Sequence, residues 1–127
     1  MDKYDILTAA RDNKTAAVTD LLHQGADPNI RHNITPLQAA VRHGNVPMVQ
    51  ALLEAGAKPN TRSMMGHTAL EYAMSTRMAE ETMLRLVELL VSHGATVDTD
   101  GSFMHHYDIA RKRKSTALLQ LLGIAES

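Results

Sequence analysis

Apolar residues recur along the chain in blocks with helical spacing. Leu37, Ala40 and Val41 lie at positions i, i+3 and i+4, which places the three side chains on one face of a helix. A wider apolar stripe follows in the next stretch of chain, formed by Met48, Val49, Leu52 and Leu53. Polar residues and glycine separate the two blocks. The pattern therefore predicts two short amphipathic helices joined by a tight turn.

The residues that flank these blocks are typical of helix ends. Thr35 is a good N-cap, and Pro36 occupies the first helical position, where a missing N–H costs nothing. Gly44 tolerates a positive φ and can end the first helix, Asn45 can cap the second, and Gly56 can close it. We expect an extended hairpin with a turn near residues 62–66 to lead into the next helix pair.

This arrangement repeats along the whole chain. Gly-Ala-Asp-Pro-Asn at 25–29 returns as Gly-Ala-Lys-Pro-Asn at 56–60, an offset of 31 residues. A third copy follows from Thr68, and a degenerate fourth copy follows from Tyr107. The copies occupy approximately residues 2–31, 32–62, 63–100 and 101–124. Residues 1–127 are thus predicted to form one domain of stacked repeats.

These motifs resemble the ankyrin repeat. The strongest matches are Thr-Pro-Leu-Gln-Ala-Ala at 35–40 and the two Gly-Ala-x-Pro-Asn segments. The resemblance implies an all-α fold, an ankyrin-repeat solenoid of helix-turn-helix pairs joined by β-hairpin-like fingers. Gln38, Glu71 and Asp108 occupy the place of the histidine that follows Thr-Pro-Leu in the family.

The third copy departs from the second by an insertion near residues 75–81. Thr68 to Gly94 spans 26 positions, whereas Thr35 to Gly56 spans 21. We expect a surface loop here, and a partner-contact element is the alternative. Met74, Met78 and Met83 can lie along one helical face, as core residues.

Composition excludes several functional classes. The chain is 44% hydrophobic and 21% charged, which is typical of a folded domain, and its net charge of −1 gives no general attraction to nucleic acid or anionic membrane. The absence of cysteine fits a reducing cytoplasm, and we expect neither export nor a membrane span.

No motif for catalysis, nucleotide binding or a metalloprotease site occurs in the sequence, so we expect no enzymatic activity, small-molecule substrate or cofactor. The seven histidines are interpreted as surface or capping residues rather than metal ligands. His43 and His93 lie near predicted helix ends, where a histidine commonly bonds the carbonyls of the last turn.

The resemblance implies that a partner protein binds the concave face, which is formed by the finger tips and the exposed positions of the first helices. The sites predicted on this basis are Arg11, Arg31, Arg42, His43, Arg62, Met64, Met65, His67, Lys112 and Arg113. Ile34 is also expected to be exposed on a finger, and Arg42 and Arg62 are expected to stand in solvent. The acids of the second helices are expected on the opposite, convex side, namely Asp20, Glu54, Glu81 and Glu88.

Two methionines at a finger tip suit an adaptable contact, and the arginines favour a partner with an acidic surface. The sequence therefore predicts a non-catalytic protein-binding module. The alternative is a dedicated inhibitor or immunity-type protein that masks the active or nucleic-acid-binding site of another protein. Direct nucleic-acid binding is disfavoured, because the basic run at 111–114 lacks interleaved aromatics. The apolar run at 117–122 predicts either packing on the third copy or a surface for a partner or for weak self-association.

Overall fold

The computed structural model describes residues 5–96, which form six α-helices in three consecutive pairs. The helices are α1 (Asp5–Arg11), α2 (Thr15–His23), α3 (Pro36–Arg42), α4 (Val46–Glu54), α5 (Ala69–Ser75) and α6 (Glu80–Ser92). This part of the chain contains no strand, and its single β-bridge joins His32 to Ile34. The all-α prediction is confirmed. The predictions for the fourth copy, Lys112, Arg113 and the apolar run at 117–122 lie outside the described residues.

The helices stack in two layers. The first helices of the pairs form one layer, in which α1 packs on α3 and α3 packs on α5. The second helices form the other layer, in which α2 packs on α4 and α4 packs on α6. Each helix also packs against its partner within the pair. Because every pair contacts the next pair in both layers, each repeat is stabilised by its neighbours.

The core lies between the two layers, and the first helices contribute buried alanines together with larger side chains such as Leu37 and Leu70. Ala40 and Ala73 in the first helices are 0% exposed, so there is no room for a larger side chain there unless its neighbours move. The second helices contribute larger side chains, including Met48, Leu52 and Leu90, which are fully buried. Alanine opposite leucine and methionine lets successive pairs approach closely.

The helix-end signals read from the sequence are confirmed in the second repeat. The Thr35 side chain accepts a bond from the Gln38 N–H, while the Gln38 side chain accepts one from the Thr35 N–H, which completes a capping box. The Asn45 side chain accepts a bond from the Met48 N–H at the start of α4. Gly44 adopts a φ of +66°, the left-handed conformation that ends α3.

The loop expected near residues 75–81 is confined to the connection at 76–79, and most of the inserted length is helical instead. Helix α6 has 13 residues, whereas α2 and α4 have nine each. The connection at 76–79 is only one residue longer than the connection at 43–45. Four of the five extra residues therefore form an additional turn of α6. Glu80 and Glu81 favour this turn, because acidic side chains near a helix N-terminus interact well with the helix dipole.

The methionines of this region do not share one helical face. Met74 in α5 and Met83 in α6 are fully buried, as expected for core residues. Met78 lies in the connection and is partly buried against the core. Its sulfur and the Thr82 methyl group lie over Gly44 of the preceding repeat. A β-carbon added to Gly44 would lie 4.0 Å from the Met78 sulfur and 3.5 Å from the Thr82 methyl group. The inserted residues thus cover the turn between α3 and α4.

Candidate partner-binding surface

The finger between the second and third repeats ends in a hydrogen-bonded turn. The Gly66 N–H donates to the Ser63 carbonyl at 2.9 Å, and the Ser63 N–H donates to the His67 carbonyl at 2.8 Å. Gly66 has a φ of +86°, which a residue with a side chain rarely adopts. The turn that the sequence predicts near residues 62–66 is confirmed, and we call residues 63–66 the finger tip.

Two apolar side chains project from the finger tip. Met64 and Met65 are 68% and 78% exposed, and within residues 5–96 no other large hydrophobic residue is exposed. The Met64 N–H donates to the Asn33 carbonyl at 2.8 Å, which ties the tip to the preceding finger. The methionines are therefore presented from an anchored backbone although the fold does not require them there.

Arg31 and Arg62 belong to the structure of the fingers. Arg31 donates from Nη1 to the Arg62 carbonyl at 3.0 Å, and Arg62 donates from Nη1 to the Gly66 carbonyl at 2.8 Å. Arg62 is half-buried, so the expectation that it stands in solvent was wrong. The physical reason is that a guanidinium offers five donors to a turn whose carbonyls need partners.

Gln38 joins α3 to the same finger. Its Nε2 donates to the Thr61 carbonyl at 2.8 Å and to the His67 carbonyl at 3.1 Å, and the side chain is buried. In the sequence, Gln38 is marked only by its departure from the family pattern. The Thr35–Gln38 spacing signals its part in the capping box, whereas its bonds to residues 23 and 29 positions away carry no local signal.

His67 is oriented by its own repeat. Its Nδ1 lies 2.9 Å from Oε2 of the buried Glu71, and its ring meets the Tyr72 ring edge-on at 5.7 Å between centroids. The Tyr72 hydroxyl lies 3.0 Å from the Ser63 hydroxyl and so connects α5 to the finger tip. The His67 side chain is 43% exposed, which leaves one edge for a partner.

A groove runs along the layer of first helices. It has a volume of about 580 Å³, and we call it the concave groove. The described residues that line it are Arg11, Asn33, Ile34, Ala39, Arg42, His43 and Thr76. Three of the predicted site residues therefore meet here, whereas Arg31, Arg62 and His67 are not among these lining residues. Ile34 is a buried residue of the core, so its predicted exposure was wrong. The chain folds back on itself at the His32–Ile34 bridge just before α3.

The cationic groups of the groove are held in place by the fold. Arg11 donates from Nη2 to the His32 carbonyl. His43 bonds through Nε2 to the Arg11 carbonyl at 2.7 Å, across the two repeats rather than within its own helix end as expected. Since a carbonyl only accepts, this Nε2 carries the proton. The Arg42 guanidinium lies over the Tyr72 ring, 5.8 Å from its centroid, and Arg42 is exposed as predicted.

Exposed acids are concentrated on the second-helix layer, although α6 also carries the exposed Arg85 and α1 the exposed Asp5. The exposed acids Asp20, Glu54, Glu81 and Glu88 lie on α2, α4 and α6, the second-helix layer. The arginines and histidine of the concave groove lie at the C-terminal ends of α1 and α3 in the other layer. Their arrangement can attract an anionic group to the first-helix side.

The described residues also bear on metal binding, on membrane insertion and on the predicted role of His93. Between residues 5 and 96, no group of three or more histidine, aspartate or glutamate side chains could hold a metal ion. None of the six described helices has the length and apolar character that crossing a bilayer requires. His93 bonds the Leu89 carbonyl through Nδ1 at 3.0 Å, which confirms the predicted last-turn contact.

Comparisons with known proteins agree with this architecture. A family model described as ankyrin repeats in three copies matches residues 6–101. The chain is 37% identical over 75 residues to ankyrin repeat and SAM domain-containing protein 6 of Danio rerio, which covers 57% of the chain and 10% of that protein. It is 37% identical over 94 residues to the serine/threonine-protein kinase VIK of Arabidopsis thaliana, covering 70% of the chain and 20% of that protein. The chain thus spans only a tenth to a fifth of the length of these relatives.

A solved structure gives a similar result. The ankyrin repeat domain of Bcl-3, described as a unique member of the IkappaB protein family, superposes with a TM-score of 0.72 at 28% sequence identity. The match covers 93% of this chain and 50% of that chain.

Proposed function

The chain belongs to the ankyrin-repeat family, and we propose that it acts as a non-catalytic module that binds an acidic surface of a partner protein. Ankyrin repeats are protein–protein interaction modules, and the first-helix layer with its fingers is the surface we assign to binding. The absence of cysteine from the sequence agrees with a cytoplasmic location, which is part of the proposal.

The observation that carries this proposal is the anchored pair of exposed methionines beside a cationic groove. An apolar centre with a polar rim is the usual anatomy of a protein interface. Met64 and Met65 would supply the apolar centre, and Arg42 and His43 would supply the cationic rim. The acids on the second-helix layer would repel an acidic partner from that side and thereby favour one orientation of approach.

Two substitutions test the assigned surface. Arg42→Glu replaces attraction by repulsion, so association with the partner should slow and lose much of its salt dependence. Met65→Ala removes apolar contact, so dissociation should accelerate by roughly 5- to 30-fold if Met65 is a central contact, equivalent to ~1–2 kcal/mol. Glu54→Lys and Glu88→Lys, on the second-helix layer, are the matched controls, because they also reverse a charge but lie outside the assigned surface.

The measurement is surface plasmon resonance at two ionic strengths, against the partner captured with the tagged chain from its native host. Circular dichroism melts of every variant establish that the fold is retained. The assignment would be contradicted if the two second-helix variants lost binding while Arg42→Glu and Met65→Ala kept unchanged rates. The binding surface would then lie on the second-helix layer. If the captured partner is an enzyme or binds nucleic acid, its activity in the complex decides between masking and scaffolding.

A further inference from the structure

We propose that the concave groove binds a carboxylate side chain of an extended partner segment between Arg11 and Arg42, while a neighbouring apolar side chain of that segment packs on Met64 and Met65. The recognised chemistry is thus an acidic residue next to a bulky apolar residue in a linear peptide. This inference rests on the proposed function and narrows it from an acidic surface to a defined pair of side chains.

The structure divides the four arginines of the predicted binding face into two kinds. Arg31 and Arg62 donate to carbonyls of the fingers, as Arg11 also does, but they are not among the described residues that line the groove. Arg11 and Arg42 line the groove, at the ends of α1 and α3. We therefore assign a structural role to the first pair and anion binding to the second pair.

Both groove arginines are oriented without losing their capacity to bind an anion. The bond from Arg11 Nη2 to the His32 carbonyl uses one of the five N–H donors of the guanidinium. The contact of Arg42 with the Tyr72 ring is made to the π face and consumes no N–H donor. Fixing side chains before binding lowers the entropy lost on association.

The electrostatic balance of the groove favours a single negative charge. Arg11 and Arg42 contribute two positive charges, but each is the last residue of its helix. A helix C-terminus carries about −0.5 of an elementary charge, so the two helix ends offset about one of the two positive charges. A carboxylate matches the remaining charge of about +1, whereas a phosphate dianion exceeds it.

The groove and the finger tip adjoin each other through Asn33. Asn33 lines the groove, and its carbonyl accepts the bond from the Met64 N–H at 2.8 Å. A carboxylate in the groove and an apolar side chain on the tip can therefore belong to residues close together in one extended segment. Thr76, which begins the α5–α6 connection, also lines the groove, so the third repeat contributes to its wall.

The experiment selects peptides with the full chain as bait. A phage library displaying random 12-residue peptides is selected on the immobilised protein and counter-selected on the Arg42→Gln variant. The most enriched sequence is synthesised in three forms: unchanged, with its acidic residue replaced by the corresponding amide, and with that residue replaced by phosphoserine. Fluorescence polarisation gives the affinity of each form for the wild type, Arg42→Gln and Arg31→Gln.

We expect enriched peptides to carry Asp or Glu within a few positions of Leu, Ile, Met or Phe. Arg42→Gln and the amide peptide should each lose about tenfold in affinity, the size expected for a hydrogen bond to a charged group, and the two losses should not add. Arg31→Gln should bind the unchanged peptide within about threefold of wild type wherever its melting curve shows the protein folded. Phosphoserine should give no gain.

Three results would overturn the inference. One is that the enriched peptides lack an acidic residue, or that no peptide is enriched more strongly than in a parallel selection on an unrelated protein. Another is a loss on Arg42→Gln that persists undiminished with the amide peptide. The third is binding at least tenfold tighter with phosphoserine, which would assign the groove to phosphate instead. None of these affects the partner-capture experiment above, so failure of the inference can be distinguished from failure of the proposed function.

Discussion

The side-chain amides of Asn29 and Asn60 make the same bridge to the repeat that follows each of them. Asn29 donates from Nδ2 to the Gly56 carbonyl at 3.1 Å and accepts from the Lys58 N–H at 2.7 Å. Asn60 does the same with the Gly94 carbonyl and the Thr96 N–H, both at 3.0 Å. Each amide thus satisfies one donor and one acceptor of the neighbouring helix end, and the bridge fixes the register between successive repeats.

Removing this bridge should weaken the stacking of the first two repeats. We expect Asn29→Ala to lower the free energy of unfolding by about 1–2 kcal/mol, because two backbone groups lose their partner. Asn29→Asp should also be destabilised, because its carboxylate still accepts from the Lys58 N–H but cannot donate to the Gly56 carbonyl that it faces. Urea unfolding followed by circular dichroism measures both, with Gln50→Ala on the exposed face of α4 as the control at about 0.5 kcal/mol or less. Equal stability of all three variants would contradict the role of Asn29.

Overpacking the first-helix layer tests the close approach of the pairs. Ala40 is 0% exposed, so Ala40→Leu should force α3 away from its neighbours and cost roughly 1–3 kcal/mol. Ala16→Leu makes the same change at an exposed position of α2 and should be nearly neutral. Thermal melts of the two variants provide the comparison. The stacked arrangement would be contradicted if Ala40→Leu had the same melting temperature as Ala16→Leu.

The helix pairs and their stacking could be predicted because the sequence signals for them are local. The Thr35 cap, Pro36 and Gly44 each act within a few residues, and their recurrence at a fixed offset indicates stacking. The roles of Gln38 and Arg62 could not be predicted in the same way, because their hydrogen bonds depend on how the chain packs into finger and helix. The sequence predicts Arg11 and Arg42 on the first helices, where they lie, but only the folded backbone reveals which arginines bind carbonyls.

Gln38 provides a pH-dependent test of the finger contact. In Gln38→Glu a buried carboxylate would face the carbonyls of Thr61 and His67, which raises its pKa above the unfolded value of about 4.3. With a raised folded-state pKa, the folded protein binds more protons than the unfolded chain, so stability relative to wild type must fall as the pH rises through that window. We expect a loss of about 1–2 kcal/mol between pH 4 and 7, equivalent to a shift of about one pKa unit.

The control for this variant is Gln38→Met, which removes the hydrogen bonds without adding a titratable group. Its loss of stability relative to wild type, about 1–3 kcal/mol, should not change with pH. Urea unfolding of the three proteins at several pH values between 4 and 8 gives both comparisons. Parallel curves for the Glu and Met variants would mean that residue 38 does not face the two carbonyls.

Truncation to alanine should lower the free energy of unfolding at Arg62 more than at Arg42. Arg62→Ala removes the guanidinium that bonds the Gly66 carbonyl, so the finger tip should open and the free energy of unfolding should fall by about 1 kcal/mol. Arg42→Ala loses only its contact with Tyr72 at an exposed position and should change stability by about 0.5 kcal/mol or less. Amide hydrogen exchange at Ser63, Met64 and Gly66 reports the opening directly. Unaltered exchange in Arg62→Ala would show that the bond does not hold the turn.

Peroxide oxidation should distinguish the finger-tip methionines from those of the core. A thioether takes one oxygen from hydrogen peroxide, which leaves as water, and the reaction requires access to the sulfur. Met64 and Met65 are exposed, whereas Met74 and Met83 are fully buried and can react only when the structure opens. We expect the exposed pair to oxidise more than about tenfold faster, since an opening cost of 1.4 kcal/mol already gives that factor.

The chain offers internal controls for this measurement. Trypsin releases residues 63–77, which contain Met64, Met65 and Met74, and residues 78–85, which contain Met78 and Met83. Fragment spectra of these two peptides therefore compare exposed, partly buried and buried sulfurs from the same reaction. In urea the differences should disappear, because unfolding exposes every sulfur equally. Oxidation of Met74 at the rate of Met65 in the folded protein would show that α5 is not packed in the core, and the anchored finger tip would lose its structural basis.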